Sequence, residues 1–305
     1  MAVRPILRIP AIIVLISVLV TVTPAGAWTV DDVMDNVETP WLSRTAPLNE
    51  SAEKSGENAE GAEGNEAPLD TDRSSFTFAT TTVRTGRVLV ESAYSFIDNR
   101  NAAQSHSFPE LMTRIGVTKR LELRLGWNYE VGGGGDVSNG DAAGDLTAPS
   151  IKREAQIQYG FKYALTTQNS WIPTSACIVQ AATPTAGVNE ASRVVLGYVF
   201  GWKIFDDWEL DSGIRYETAK EEGDHFNQWA PSVLLKVPVF ERCHVHGEYF
   251  GIFTDGRATN TNVQYLSPGI SYLITPACEV GVRLGWGLNQ DAASFFSNVG
   301  FGLMF

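Results

Sequence analysis

Two histidines and a glutamate at alternate positions are the residues of this chain best suited to metal chemistry. His244, His246 and Glu248 are spaced i, i+2 and i+4, and on a β-strand this spacing puts all three side chains on one face. Two imidazoles and a carboxylate are common ligands of Zn²⁺. No cysteine or further histidine joins them from an identifiable neighbouring strand, and hydrogen-bonded interior histidines are commoner. The sequence therefore predicts neither a metal site nor a cofactor.

Charged residues of both signs recur at alternate positions in similar segments. With the three residues above they form the predicted lining of an interior: Glu122, Arg124, Lys162, Glu209, Asp211, Arg215, His244, His246, Glu248, Glu279 and Arg283. Acids and bases together either line a water-filled passage and set its selectivity, or pair with one another as structural salt bridges. The sequence leaves both alternatives open.

Three segments, 121–130, 208–217 and 278–288, show which elements carry these side chains. In the first segment, apolar residues alternate with polar ones that include Glu122 and Arg124. Successive side chains of a β-strand point to opposite faces, so each segment has one apolar face and one polar face. An apolar outer face and a polar inner face are typical of transmembrane β-barrels.

The two faces are expected to respond differently to substitution. Leu123, Ile214 and Leu284 are predicted to face lipid, where arginine is destabilising. Glu122 and Glu209 are predicted to face the interior. Lysine at either of these two positions is expected to be tolerated and to change ion preference.

Segments of this kind number twelve, at 86–97, 107–118, 120–131, 152–166, 171–183, 193–205, 208–219, 226–239, 243–254, 263–274, 278–289 and 294–305. Their connections alternate between tight turns and longer polar loops, which is the pattern of outer-membrane barrels. The predicted fold class is all-β, a transmembrane antiparallel up-and-down β-barrel with both termini in the periplasm. Ten or fourteen strands are alternatives, and a soluble β-sandwich is a further one, although it rarely has twelve hairpin-connected strands.

The final strand supplies a candidate assembly signal. Phe301, Leu303 and Phe305 share one face of this strand, because side chains alternate between faces. A chain that ends on an aromatic residue resembles the terminal strand recognised by the barrel-assembly machinery of the bacterial outer membrane.

Residues 1–27 have the features of a cleaved signal peptide. Arg4 and Arg8 precede an apolar run at 9–22, and the small residues 25–27 form a cleavage site. The run is shorter than the roughly 20 residues that a membrane-spanning helix needs. The chain is therefore expected to be exported and to reside in the cell outer membrane.

Residues 28–75 are predicted to form a periplasmic, acidic, mostly disordered segment before the barrel at 76–305. They contain twelve acidic residues against Arg44, Lys54 and Arg73. The run 50–70 has almost no large apolar side chain, so it cannot form a core. The alternative is that the acidic residues enter the barrel and pair with interior arginines.

The formal net charge of -12 offers no basic surface for nucleic acid. The expected partners are instead outer-membrane lipid, the barrel-assembly machinery and a small-molecule solute, and the sequence leaves the oligomeric state open. No catalytic residue is predicted. The twelve-stranded outer-membrane phospholipase uses a serine and a histidine on its outer face, whereas here His106 and His225 lie at loop edges and no strand histidine is expected to face lipid.

The Gly-Asp-Leu motif at 144–146, the Tyr-Gly-Phe-Lys-Tyr segment at 159–163, the repeated strand hairpins and Phe305 together resemble the outer-membrane family of the MetA pathway of phenol degradation. The resemblance covers 76–305, although an insertion at 147–158 departs from a compact motif. It implies a transport barrel and transfers no binding residue. The leading hypothesis is a channel or transporter for small solutes, hydrophobic or aromatic ones included. The alternative is a non-conducting structural or interaction barrel with a periplasmic acidic tether.

Overall fold

The computed structural model describes residues 69–100, 102–132, 152–187, 191–205, 207–221, 224–256 and 260–305. The predicted signal peptide, the acidic residues 28–68 and the Gly-Asp-Leu motif lie outside the described residues. In the part of the chain that the structure describes, no helix has the length and apolar composition needed to cross a membrane.

Twelve antiparallel strands form one closed β-barrel. Each strand pairs with its neighbour in sequence, and β1 pairs with β12 to close the wall, so that Leu89 lies opposite Met304 and Asp98 opposite Phe295. The strands are β1 (Val88–Asp98), β2 (Ser105–Gly116), β3 (Leu121–Gly132), β4 (Lys152–Thr166), β5 (Thr174–Ala186), β6 (Arg193–Ile204), β7 (Trp208–Glu221), β8 (Asp224–Phe240), β9 (Cys243–Asp255), β10 (Asn262–Thr275), β11 (Cys278–Gly287) and β12 (Phe295–Met304). The predicted fold class and strand count are confirmed.

The two faces of the wall differ in polarity, as β3 illustrates. Glu122 and Arg124 are 0% and 3% exposed, whereas Leu123 and Leu125 on the same strand are 45% and 56% exposed. A water-soluble protein would bury the leucines and expose the charges. The reversed arrangement is favourable when lipid contacts the outer face, so the barrel is of the outer-membrane type.

The two ends of the barrel differ in the length of their connections. Val88 and Met304, where the barrel wall begins and ends, lie at the end with the short connections 117–120, 205–207, 241–242 and 276–277. We call this end the turn end, and its one longer connection is 167–173. The opposite end, which we call the loop end, has longer connections such as 99–104 and 288–294, with 222–223 as a short exception.

Residues 69–83, which we call the luminal loop, lie inside the barrel. Two apolar clusters mark the path of the loop. At the turn end, Leu69 and Val83 lie in one cluster with Leu89 and Leu273. Farther toward the loop end, Phe76 lies in a second cluster that includes Ile97, Phe250, Ile252, Val263, Tyr265 and Phe296. The luminal loop therefore begins and ends at the turn end, with Phe76 at its tip.

Residues 69–75, which precede the predicted start of the barrel at residue 76, also lie within the barrel. Their side chains are mostly buried, and Thr71, Asp72 and Arg73 are each less than a tenth exposed. Burial of such polar groups is costly unless each finds a partner. The inner face of the wall supplies those partners, which is why this polar stretch enters the barrel.

Candidate functional site inside the barrel

Asp72 of the luminal loop is the centre of an ionic cluster near the turn end. Its carboxylate lies 2.6 Å from Arg124 Nη2, 3.6 Å from Arg114 Nη1 and 3.7 Å from Lys162 Nζ. The same carboxylate accepts the backbone N–H of Ala79 at 2.7 Å, which joins the two limbs of the loop. A buried carboxylate is tolerated only when cations and donors replace its hydration. The three wall cations therefore bind the loop at this position.

Two wall glutamates balance these cations. Arg114 donates hydrogen bonds to Glu122 at 2.8 Å and to Glu91 at 3.0 Å. Arg124 donates to Glu122 at 2.9 Å. Glu122 also accepts the backbone N–H of Val83 at 2.8 Å. The wall thus contacts the outgoing limb through the cations and the returning limb through Glu122 and through Lys162, which donates to the Thr81 carbonyl at 2.8 Å.

Glu248 on β9 holds the tip of the luminal loop. Its carboxylate accepts the backbone N–H of Phe76 at 2.8 Å and that of Thr77 at 2.6 Å, and the Thr77 hydroxyl donates to it at 2.7 Å. Arg283 Nη1 lies 3.5 Å from the same carboxylate. From β7, Arg215 donates to the carbonyl of Phe76. The tip is therefore bound through its backbone as well as its side chains.

Further polar contacts attach the start of the loop. Asp70 lies 3.3 Å from Lys236, which also pairs with Glu209 at 3.3 Å. The hydroxyl of Thr71 donates to Glu279 at 2.5 Å. These contacts are all hydrogen bonds or ion pairs.

The aromatic ring of Phe76 is fully buried among wall aromatics. It stacks on Phe250 with a centroid separation of 4.2 Å and an interplanar angle of 7°. Tyr265 lies 5.0 Å from Phe250, and the Arg215 guanidinium lies 4.1 Å from the centroid of Phe76. This environment combines stacking with a cation–π contact.

A small cavity lies between the loop and the wall. This cavity of about 40 Å³ lies beside Phe78 and is lined in part by Asp72, Arg124, Arg215 and Glu217. One water needs about 10–15 Å³, whereas a cavity that binds benzene is about 150 Å³. The cavity therefore has room for a few waters and excludes an aromatic solute while the luminal loop is in place.

The predicted lining residues divide into two groups. Glu209 and His244 are only partly buried and lie near the turn end. Buried side chains are those of Glu122, Arg124, Lys162, Asp211, Arg215, His246, Glu248, Glu279 and Arg283. The buried residues form much of the surface that holds the luminal loop.

The two histidines and Glu248 differ in burial and in their contacts with the luminal loop. Glu248 binds the loop backbone, as described above, while His246 is buried and His244 is partly exposed. Within the described ranges, no group of three or more histidine, cysteine, aspartate or glutamate side chains is arranged to hold a metal ion.

Sequence reasoning missed the loop residues Asp72, Phe76 and Thr77 as members of the site. A signal was present, because residues 74–80 carry no charge and place Phe76 and Phe78 at alternate positions. That pattern is unlike the acidic run before it and is typical of a chain that buries one face. The ion pair between Asp72 and Arg124 agrees with the alternative stated above, in which acidic residues enter the barrel and pair with interior arginines.

The residues of the predicted assembly signal lie on the last strand and just beyond it. Phe301 and Phe305 are 44% and 64% exposed, and Leu303 is partly exposed. Phe305 exchanges two backbone hydrogen bonds with Val88, at 2.8 and 3.1 Å.

Comparison with known proteins agrees with the fold. Residues 71–305 match the model of the family described as "Putative MetA-pathway of phenol degradation". An outer membrane channel from Pseudomonas putida F1 is 14% identical, with a TM-score of 0.53, and the match covers 74% of this chain and 98% of that chain. This likeness supports the barrel fold.

More distant matches add nothing further to the argument. The NanC porin is 10% identical with a TM-score of 0.46, and the match covers 71% of this chain and 98% of that chain. The translocator domain of the autotransporter NalP from Neisseria meningitidis is 10% identical with a TM-score of 0.46, and the match covers 72% and 88% of the two chains. Comparison with curated proteins gives no match.

Proposed function

The chain belongs to the MetA-pathway family of phenol degradation, and from this premise we propose that it is a passive channel of the outer membrane for small solutes, closed in the described state by the luminal loop. The observation that carries the proposal is the path of this loop. Leu69 and Val83 at its two ends share one cluster at the turn end. The loop can therefore leave the lumen toward that end without threading the chain through the barrel.

Once the loop has left, the interior would be lined by charged residues of both signs. The Asp72 carboxylate would no longer pair with Arg114, Arg124 and Lys162. Glu91 and Glu122 would remain beside these three cations. Side-chain charges at a constriction control which ions and polar solutes pass. We propose that this mixed lining sets selectivity and that the protein transports solutes and does not transform them.

The solute class is proposed from two considerations. The family description refers to phenol, and aromatic side chains surround the tip of the loop. Small hydrophobic or aromatic solutes are therefore the proposed cargo. The rival function is a non-conducting structural or interaction barrel with a periplasmic acidic tether, and the filled interior favours this rival.

Liposome swelling distinguishes the two functions. Vesicles that contain the purified protein are placed in isotonic solutes graded by size and polarity, with protein-free vesicles as the control. A channel is expected to admit small solutes faster than the control, with rates that fall as solute size rises. Swelling at the control rate for every solute, both with the wild type and with a chain lacking residues 69–83, would support the non-conducting barrel.

We also propose that the barrel-assembly machinery inserts this chain in the outer membrane and reads its last strand. Phe305 is largely exposed, so its removal loses little buried area, and only two backbone hydrogen bonds to Val88 go with it. Deletion of Phe305 is nevertheless expected to leave unfolded protein in the periplasm. The measurement is heat-modifiable gel mobility of the membrane fraction, with Phe305→Tyr as the control that keeps an aromatic end. Wild-type membrane levels after the deletion would contradict the proposed signal.

A further inference from the structure

The ring of Phe76 occupies a compartment that has the composition of an aromatic binding site. The walls are supplied by β9, β10 and β12 through Phe250, Tyr265 and Phe296, all of which are fully buried. Phe250 stacks on the ring of Phe76, and the rings of Tyr265 and Phe296 meet edge to face at 5.5 Å. The compartment therefore has aromatic walls and holds one flat ring, that of Phe76.

Polar groups stand at the edge of this compartment. Glu248 accepts two backbone N–H groups of the loop, and Arg215 donates to the Phe76 carbonyl while its guanidinium lies over the ring. These groups serve the loop in the closed state. Without the loop, Glu248 would offer an acceptor to a solute hydroxyl, and Arg215 would offer a cation to the face of a solute ring.

We propose that this compartment, formed by Phe250, Tyr265, Phe296, Arg215 and Glu248, is a binding site for a neutral single-ring aromatic solute with a hydroxyl group, and that Phe76 is a built-in competitor for it. The proposal rests on the proposed channel function, because a solute that takes the place of Phe76 favours the open state. A ligand shifts such an equilibrium only through its higher affinity for one state. Here the difference in affinity arises because ring and solute cannot occupy the compartment together.

The closed state would then respond to its own cargo. The tip is attached through Glu248 and Arg215. Both side chains would release the loop and bind the solute in its place. The remaining attachments, which include those at Asp70, Thr71, Asp72 and Val83, lie nearer the turn end. Loss of the tip contacts would leave these contacts to hold the loop alone.

The test measures binding and does not require conduction. Purified full-length Phe76→Ala in detergent is titrated with phenol by calorimetry, since removing a buried ring leaves an apolar cavity that accepts a benzene-sized ligand. We expect Phe76→Ala to bind phenol at least about tenfold more tightly than the wild type, and to prefer phenol over cyclohexanol by about tenfold. That preference corresponds to a stacking and cation–π contribution on the order of 1.4 kcal/mol.

Two matched variants locate the site. Phe78→Ala removes the other aromatic ring of the loop, which shares Arg215 with the compartment but packs against a different cluster of Ala176, Ile178 and Val199. Because Phe76 still covers Phe250 in this variant, it is expected to bind phenol like the wild type. The double variant with Phe76→Ala and Phe250→Ala is expected to lose the increase in phenol affinity that Phe76→Ala shows. If Phe76→Ala does not fold, Phe76→Leu, which keeps more apolar volume, is expected to bind phenol more tightly than the wild type.

Several outcomes would overturn the proposal. One is that folded Phe76→Ala or Phe76→Leu binds phenol no more tightly than the wild type. Another is that Phe78→Ala gains as much phenol affinity as Phe76→Ala. The third is that Phe76→Ala binds phenol and cyclohexanol with equal affinity. Failure of the channel function is recognised separately, because phenol binding by Phe76→Ala without liposome swelling would leave the site intact and refute conduction.

Discussion

Deletion of residues 69–83 is expected to raise single-channel conductance several-fold. The deletion joins residue 68 to Arg84 at the turn end, so the wall strands keep their lengths and pairing. It removes the loop backbone from the lumen together with Phe76 and Phe78. It also removes the Asp72 carboxylate, which neutralises part of the charge of three wall cations. The opened lumen should therefore favour anions more than the closed one does.

A second deletion provides the matched control. Removing residues 42–68 shortens the acidic segment without touching any described contact of the luminal loop, and conductance is expected to stay at the wild-type value. Both variants are measured in planar bilayers at low and high salt, because low salt leaves charge interactions least screened. Unchanged conductance after removal of 69–83 would refute closure of the channel by the luminal loop. A rise in conductance after removal of 42–68 would assign the closure to these upstream residues.

Glu122→Lys is expected to destabilise the barrel by about 3 to 5 kcal/mol, the usual cost of breaking a buried ion pair. Glu122 is fully buried and bonds to Arg114, Arg124 and the Val83 N–H. Lysine would remove the acceptor and add a fourth cation beside Arg114, Arg124 and Lys162. These contacts therefore predict the opposite of the expectation from sequence that lysine is tolerated at this position.

Two variants calibrate this effect. Ile214→Arg, on the exposed outer face of β7, is expected to cost about 2 to 4 kcal/mol, because arginine then faces lipid near mid-strand. Glu209→Lys is expected to cost about 1 kcal/mol or less, because Glu209 is 27% exposed and its ion pairs are partly solvated.

The measurement is the free energy of unfolding by denaturant titration in lipid vesicles. A cost for Glu122→Lys no larger than for Glu209→Lys would show that the ionic cluster does not stabilise the closed barrel. A neutral effect of Ile214→Arg would contradict the assignment of the outer face.

Sequence by itself determined the barrel wall, because wall formation depends on local alternation. Each strand needs an apolar residue at every second position to face lipid, and this period can be read from segments such as 121–130 without knowledge of any neighbour. The predicted and observed bounds agree at Lys152–Thr166 and differ by a few residues elsewhere, for example at Thr174–Ala186. Such differences arise at strand ends, where register and turn geometry set the boundary.

Only the tertiary structure decided what fills the barrel. Alternation in the luminal loop is confined to a short stretch around Phe76 and Phe78, and the partners of the loop lie far away in sequence, as with Thr77 and Glu248 or Asp72 and Arg124. Composition indicates that the acidic segment cannot form a core by itself, and that inference is sound for an isolated segment. A closed wall lined with cations and acceptors changes the balance, because buried polar groups become favourable once partners surround them. Whether Asp72 remained in water or entered the lumen therefore depended on charges that the folded barrel alone brings together.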